Sequence, residues 1–320
     1  MKLISLFTIL ILLIGCSKSD DEVDESDFEK GLLENQSITI SGTNRDYHLY
    51  VPNNPTNAPI VFLFHANRSN YNLLLGIGLT ANREIKAPYK TWINIAQQEN
   101  IVLVVPNGID RGWNDCRNDA TGNPNSDDVL FTEKLMDFVI NKYQANSSKV
   151  FVVGTSNGGH MAMRLAQEIP NKLKAFAAIV AANPKDSQCT NSRMPVSALF
   201  MNGTEDDILP YEGGSMEGRR GNVFSAQETI DYWVNRNETD TTPIKTEFAN
   251  TNTTDNCTVT KYVYGNGTNN TEVTFYKVDN GGHAEPSIAE RYSDDFLSTL
   301  GNQNSDIEMA IEVWNFFKTK

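Results

Sequence analysis

The sequence predicts an α/β protein, a single domain with a mostly parallel sheet and helices on both faces. Three observations predict it. Short apolar, β-branched runs alternate along the chain with longer helical patterns. One of these runs, Pro59–His65, is apolar throughout, as a strand buried on both faces must be. A strand-to-helix turn, Gly154-Thr155-Ser156-Asn157-Gly158, sits in the middle of the alternation. Composition agrees. The 320 residues are 39% hydrophobic and 21% charged, enough for one large core or two smaller domains and too apolar for a disordered or fibrous chain. Four cysteines are too sparse for a disulfide scaffold. A formal charge of −13 argues against binding nucleic acid or anionic lipid by charge alone.

The elements follow in order. Tyr47–Val51 reads as strand, Pro59–His65 as buried strand, Trp92–Gln98 as helix and Ile101–Val105 as strand. Asp127–Tyr143 reads as helix, with Ser126 as its N-cap and Asp127 and Asp128 where the helix dipole favours acids. Val150–Val153 is strand and Gly158–Glu168 helix; Phe176–Ala181 and Val196–Met201 are strands. Ala226–Asn235 is helix, Val273–Val278 strand and Ile307–Phe317 a closing helix. Polar patches at Asn250–Asn256 and Gly265–Asn270 read as turns between short strands. Periodicity alone does not separate one doubly wound fold from another.

The N-terminus carries a targeting pattern. Lys2 precedes an apolar run, Leu3–Ile14, too short for a comfortable membrane span and followed by Gly15 and Cys16. Leu12-Leu13-Ile14-Gly15-Cys16 resembles the lipobox of bacterial lipoproteins, which implies cleavage before Cys16 and lipid on its thiol. Ser17–Lys30 then holds seven acids against Lys18 and Lys30, a composition that cannot build a core. The expected organisation is a signal peptide over 1–15, a disordered acidic tether over 16–35 and a catalytic domain over 36–320.

Gly154-Thr155-Ser156-Asn157-Gly158 is G-x-S-x-G between a buried strand and a helix, the setting of a nucleophile elbow. The serine of such an elbow sits on a strained turn, and a side chain two residues to either side would clash; glycine removes the clash. The turn aims the following N–H at a reacting carbonyl oxygen. A serine nucleophile needs a base held by an acid, in the chain order Ser, Asp or Glu, His. Beyond Ser156 stand His160 and His283. His160 lies four residues into the nucleophile helix and reads as a helix or pocket-wall residue; His283, in a Gly-rich loop after a late strand, reads as the base. For the acid, the loop after Val196–Met201 offers Glu205, Asp206 and Asp207, and sequence physics does not choose among them.

Together these segments resemble the secreted polyhydroxybutyrate depolymerase and feruloyl esterase group of α/β-hydrolases, related to carbohydrate esterases. The segments are Gly154–Gly159; Gly112-Trp113-Asn114 with Cys116; Asp127-Asp128-Val129 with Phe131; Gly203-Thr204-Glu205-Asp206 through Pro210-Tyr211 and Gly213-Gly214; and Gly281-Gly282-His283 with Pro286. The resemblance implies the α/β-hydrolase fold and selects Asp206 as the acid, with Asp207 the runner-up. Asp127 and Asp128 read as helix-capping residues. The family usually has His-Gly after the third strand; here the chain reads His65-Ala66-Asn67-Arg68. A backbone N–H of this loop completes the oxyanion hole in such folds, so the donors fall to Asn157 and Asn67. A positive φ at Ala66 would carry strain. No His/Cys cluster has metal-ligand spacing, and neither metal nor other cofactor is expected.

The expected activity is hydrolysis of a carboxylic ester outside the cytoplasm by Ser156, His283 and Asp206. The substrate class is feruloyl or acetyl groups on polysaccharide, with a polyester as the alternative. Trp113 and Tyr211 are candidates for the substrate site, with core packing equally open to each. A serine peptidase shares the triad, but the accompanying segments match esterases. A reading of another class is a glycan-binding lipoprotein that has kept the fold and lost turnover. The protein is expected to be a monomer, anchored by its lipid to a bacterial membrane, the outer one, and without a nucleic-acid partner. With Cys16 lipidated, Cys116, Cys189 and Cys257 allow one disulfide; Cys189 with either of the others is preferred, since 189 and 257 lie in irregular loops.

Overall fold

The computed structural model describes residues 28–77 and 86–320. The expected signal peptide, Cys16 and most of the acidic stretch lie outside the described residues. The chain begins with strands β1 (Gly31–Ile40), β2 (Thr43–Val51) and β3 (Ile60–Phe64), then helices α1 (Tyr71–Leu75) and α2 (Thr91–Glu99). Next come β4 (Val102–Pro106), α3 (Asp128–Tyr143), β5 (Val150–Thr155), α4 (Asn157–Glu168), β6 (Ala175–Ile179) and β7 (Ser197–Gly203). A small ribbon, β8 (Gly214–Ser215) and β9 (Asn222–Val223), precedes α5 (Ala226–Asn237). The last elements are β10 (Ile244–Glu247), β11 (Thr258–Tyr264), β12 (Val273–Asp279), α6 (Asp294–Leu300) and α7 (Met309–Phe317).

Among the described residues one sheet of ten strands runs in the order β1-β2-β4-β3-β5-β6-β7-β12-β11-β10. Its centre, from β4 through β12, is parallel, and both flanks are antiparallel. The α/β expectation therefore holds, with the fold's single large sheet. The central strands are buried along their whole length because alternate residues enter opposite cores. Phe62, Phe64, Val150 and Val152 face α3, α4 and α5, which contribute Phe131, Leu135, Met161, Leu165, Ile230 and Trp233. Val61, Leu63, Phe151 and Val153 face the other way, onto Trp92, Ile95, Val313 and Phe317 of α2 and α7. Each fully buried aromatic or aliphatic side chain contributes about 1.5–3 kcal/mol of transfer free energy.

Three sequence expectations are corrected. The domain boundary at residue 35 falls inside β1, which begins at Gly31. Its alternation is weak because β1 is an edge strand with a register shift between Leu33 and Gln36 and Asn35 at φ 53°. The cap of α3 is Asp127, whose carboxylate accepts from Leu130 N at 3.0 Å, whereas the Ser126 hydroxyl donates to Asp128. Asp128 is not a capping residue: it is fully buried and accepts from Arg45 at 2.7 Å and from Asn114 N at 2.8 Å. That pair ties α3 to β2.

Candidate active site

β5 leaves the carboxyl edge of the sheet into Ser156, which has φ 53° and ψ −118°, and α4 begins at the next residue. This backbone is sparsely populated for a non-glycine residue and costs on the order of 1–3 kcal/mol. Its surroundings hold it there. Ser156 N donates to Ile179 O of β6 at 2.8 Å. A Cβ on Gly154 would lie 2.2 Å from Gly158 O, and one on Gly158 would lie 2.2 Å from Phe64 O. Both flanking glycines are therefore required by close backbone approach, as the sequence motif implied. Ser156 itself is half-buried.

β7 and β12 are parallel neighbours, so the loops that follow them leave the same edge as the elbow. A Cβ on Gly203, at the end of β7, would lie 2.2 Å from Gly281 O; its absence lets the two loops touch. His283 Nδ1–H donates to Asp206 Oδ2 at 2.7 Å. Asp206 Oδ1 accepts from Ile208 N at 2.9 Å and Leu209 N at 2.7 Å, so the carboxylate is aimed by its own turn. His283 is fixed through its own N–H to Leu300 O at 2.6 Å. Asp206 and His283 are both buried, whereas Glu205 and Asp207 are exposed. Of the three acids the sequence left open, the structure brings Asp206 to the histidine.

The loop after β3 is clamped from below. His65 is fully buried; its Nδ1–H donates to Ala66 O at 2.8 Å and its Nε2 accepts from Gly108 N at 2.9 Å. Since Nε2 accepts from an N–H, the proton sits on Nδ1, and burial pushes the ring's pKa down to about 4. Trp113 Nε1 donates to His65 O at 2.9 Å, and Arg68 N to Arg111 O at 2.7 Å. Ala66 is not among the residues at positive φ; Arg68, at φ 60°, takes the turn instead, so the Ala66 substitution carries no backbone strain. The Asn67 carboxamide accepts from Arg68 N. Asn157, the first residue of α4, has an end-of-helix N–H with no partner four residues back. Its side chain is buried among Trp113 and Asp115.

The remaining candidates fall as follows. Trp113 has no exposed surface and packs edge-on against Phe64, so core packing describes it. Tyr211 is half-buried beside the core under α5, and burial, with Asp279 and Glu212 nearby, pushes its hydroxyl up to about 12. His160 is buried, and burial, with Arg117 near, lowers it to about 3. Cys116 and Cys189 form the disulfide, one of the two preferred pairings, and Cys257 is free and buried. Sequence reasoning gave His65, Asp115 and Arg117 no role; their adjacency to Ala66 and to Trp113-Asn114 was the available signal. Among the described residues no group of three His, Cys, Asp or Glu could hold a metal. No helix among them is long and apolar enough to cross a membrane. Two surface clefts, of about 250 and about 400 Å³, flank the loops around Cys189 and Asp127; Ser156 and His283 line neither.

A mixed sheet with a parallel centre, helices on both faces and a serine elbow at the carboxyl edge defines an α/β-hydrolase. The chain belongs to the esterase family: the family model described as "Putative esterase" matches residues 39–276. Feruloyl esterase D of Neurospora crassa is 30% identical over 183 residues, 56% of this chain and 59% of that protein. A bifunctional acetylxylan esterase/xylanase of Neocallimastix patriciarum is 25% identical over 258 residues, 80% of this chain and 33% of that protein. The chain thus spans less than two thirds of these relatives' lengths. The acetyl xylan esterase structure from Aspergillus awamori superposes with a TM-score of 0.50 at 18% identity, covering 84% of this chain and 98% of that one. At that identity the likeness speaks to the fold.

Proposed function

We propose that the protein is an extracytoplasmic serine esterase that removes feruloyl or acetyl groups from polysaccharide. The observation that carries this reading is the buried Asp206–His283 pair, at 2.7 Å, on the sheet edge where the glycine-flanked Ser156 emerges. In the reaction Ser156 Oγ attacks the ester carbonyl. His283 Nε2 takes the serine proton and returns it to the leaving alcohol. Asp206 holds Nδ1–H, which keeps Nε2 free to accept and stabilises the imidazolium. The Asn157 N–H and the Asn67 N–H receive the oxyanion. Water then attacks the acyl-enzyme, with His283 again the base.

The names of the relatives, feruloyl and acetylxylan esterases, support this substrate class over a polyester. The Cys116–Cys189 disulfide supports an oxidising compartment, in keeping with the lipobox at Leu12–Cys16 and an anchor on Cys16. The test compares wild type with Ser156→Ala on p-nitrophenyl acetate and then on methyl ferulate, acetylated xylan and short hydroxybutyrate oligomers. Undiminished turnover by Ser156→Ala ends the serine mechanism. Fastest turnover of the oligomers ends the polysaccharide reading. A wild type that no fluorophosphonate labels and that binds glycan without hydrolysis supports the non-catalytic reading instead.

A further inference from the structure

Beneath the elbow lies a charged cluster that the reaction above does not use. The Asn157 side chain is 2% exposed and three of its hydrogen-bonding positions are filled: Oδ1 accepts from Trp113 N at 2.7 Å, and Nδ2 donates to Trp113 O at 3.0 Å and to Asp115 Oδ2 at 2.7 Å. Asp115 is fully buried. Its carboxylate accepts from Arg117 Nε at 3.0 and 3.1 Å, from Arg117 Nη2 at 2.5 Å and from Arg117 N at 2.9 Å. Burial alone would push the Asp115 carboxyl up, but Arg117, helped by His160, more than offsets this and holds it below the usual range. Arg117 is braced in turn against Arg220 O at 2.9 Å. The neighbouring Cys116–Cys189 disulfide, with Gln188 Nε2 donating to Asp115 O at 2.6 Å, ties the same segment to the loop after β6.

A buried ion pair is a weak source of net stability, because desolvation offsets its attraction. What this one supplies is direction. It grips the side chain of Asn157, one position after Ser156, the residue whose backbone N–H receives the oxyanion in the mechanism proposed above. We propose that Asp115 is a positioning residue of the oxyanion hole: through the Asn157 carboxamide it fixes where the Asn157 N–H points. The proposal rests on the serine esterase reading. It differs from helix capping, since Asp115 bonds no backbone N–H of α4. It also differs from direct electrostatic help, since the Arg117 charge compensates that of Asp115.

The experiment is a double-mutant cycle with Asp115→Asn and Asn157→Ala, read as kcat and KM on p-nitrophenyl acetate. Concentrations are normalised to the fluorophosphonate-titrated sites, so misfolded protein is not counted. Full removal of one oxyanion donor costs about 10²–10³ in rate. A donor that is present but misdirected is expected to cost about 10–100-fold in kcat, with KM within about threefold. Because Asp115 acts through Asn157, the double variant is expected to be no slower than the slower single. The affinity of a boronic acid, whose adduct places an oxygen in the hole, is expected to weaken in step with kcat. Wild-type kcat per titrated site in Asp115→Asn overturns the proposal, as do losses that multiply in the double variant. If Ser156→Ala keeps full activity, the esterase mechanism itself fails, and that outcome is distinct from a failed cycle.

Discussion

Replacing Asp206 by Asn is the sharpest perturbation of the site, because the change is nearly isosteric and its effect follows from counting donors. Three donors converge on the carboxylate: Ile208 N and Leu209 N on Oδ1, and His283 Nδ1 on Oδ2. An amide has one oxygen to offer. If it faces the two backbone N–H groups, its NH₂ faces His283, and the imidazole must present a lone pair at Nδ1. The ring proton then moves to Nε2, the atom that has to accept from Ser156 in the proposed mechanism. If the amide flips, its NH₂ meets two backbone donors and the turn loosens. The first arrangement satisfies more groups, so the fold is retained while the base is held in the wrong tautomer. A triad with the wrong tautomer loses on the order of 10⁴ in kcat, equivalent to about 5.4 kcal/mol of barrier. The assay is kcat on p-nitrophenyl acetate, with circular dichroism to confirm the fold. Asp207→Asn, at an exposed position, is expected to stay within about twofold of wild type. A kcat for Asp206→Asn within about tenfold of wild type, or a larger loss from Asp207→Asn, would refute the assignment.

Gly158→Ala places a methyl 2.2 Å from Phe64 O, so the elbow and β3 have to separate; expression is expected to yield little soluble, fluorophosphonate-reactive protein, and a normal yield would show that the elbow can relax. Removing the Cys116–Cys189 link, which closes a loop of sequence separation 73, is expected to destabilise by up to about 4 kcal/mol in the chain-entropy account, seen as a lower Tm for Cys116→Ser and for reduced wild type alike. Stability is expected to fall in mild acid. Buried His65 and His160 titrate at about 4 and about 3 when folded, against 6.5 when unfolded, so between pH 6.5 and 4 the unfolded chain binds protons the folded one refuses. Their contribution is level above about pH 7 and drops by about 2 kcal/mol for each imidazole at pH 5; equal urea midpoints at pH 7.5 and 5.0 would contradict this.

What could be read in the sequence was what local geometry dictates. The elbow needs glycine at 154 and 158, so its spacing announces it. Strands buried on both faces, such as β3 and β5, show as unbroken apolar runs. What could not be read depends on where distant segments meet. Asp128 looked like a helix-start acid because its partner, Arg45, is 83 residues away. Ser126 and Asp127 are equally good caps by residue type, and only the path of the chain decides between them. Glu205, Asp206 and Asp207 became distinguishable once the turn buried the middle one. Asp115 gave no sign of its grip on Asn157, 42 residues on. β1 escaped because an edge strand has only one neighbour to impose an alternation.

That edge has a consequence for how copies of the protein behave beside one another. A sheet that ends in open strands offers unpaired N–H and C=O groups to any strand that drifts past, and a second copy carries the same template. At one end β10 is four residues long and carries Lys245 and Glu247, paired at 2.7 Å. At the other, the long β1 is broken by its register shift and follows directly on a stretch with seven acids. Two copies of the β1 end brought together would set acids against acids and an irregular ladder against its like. Copies of the protein at high concentration are thereby guarded against strand-to-strand aggregation.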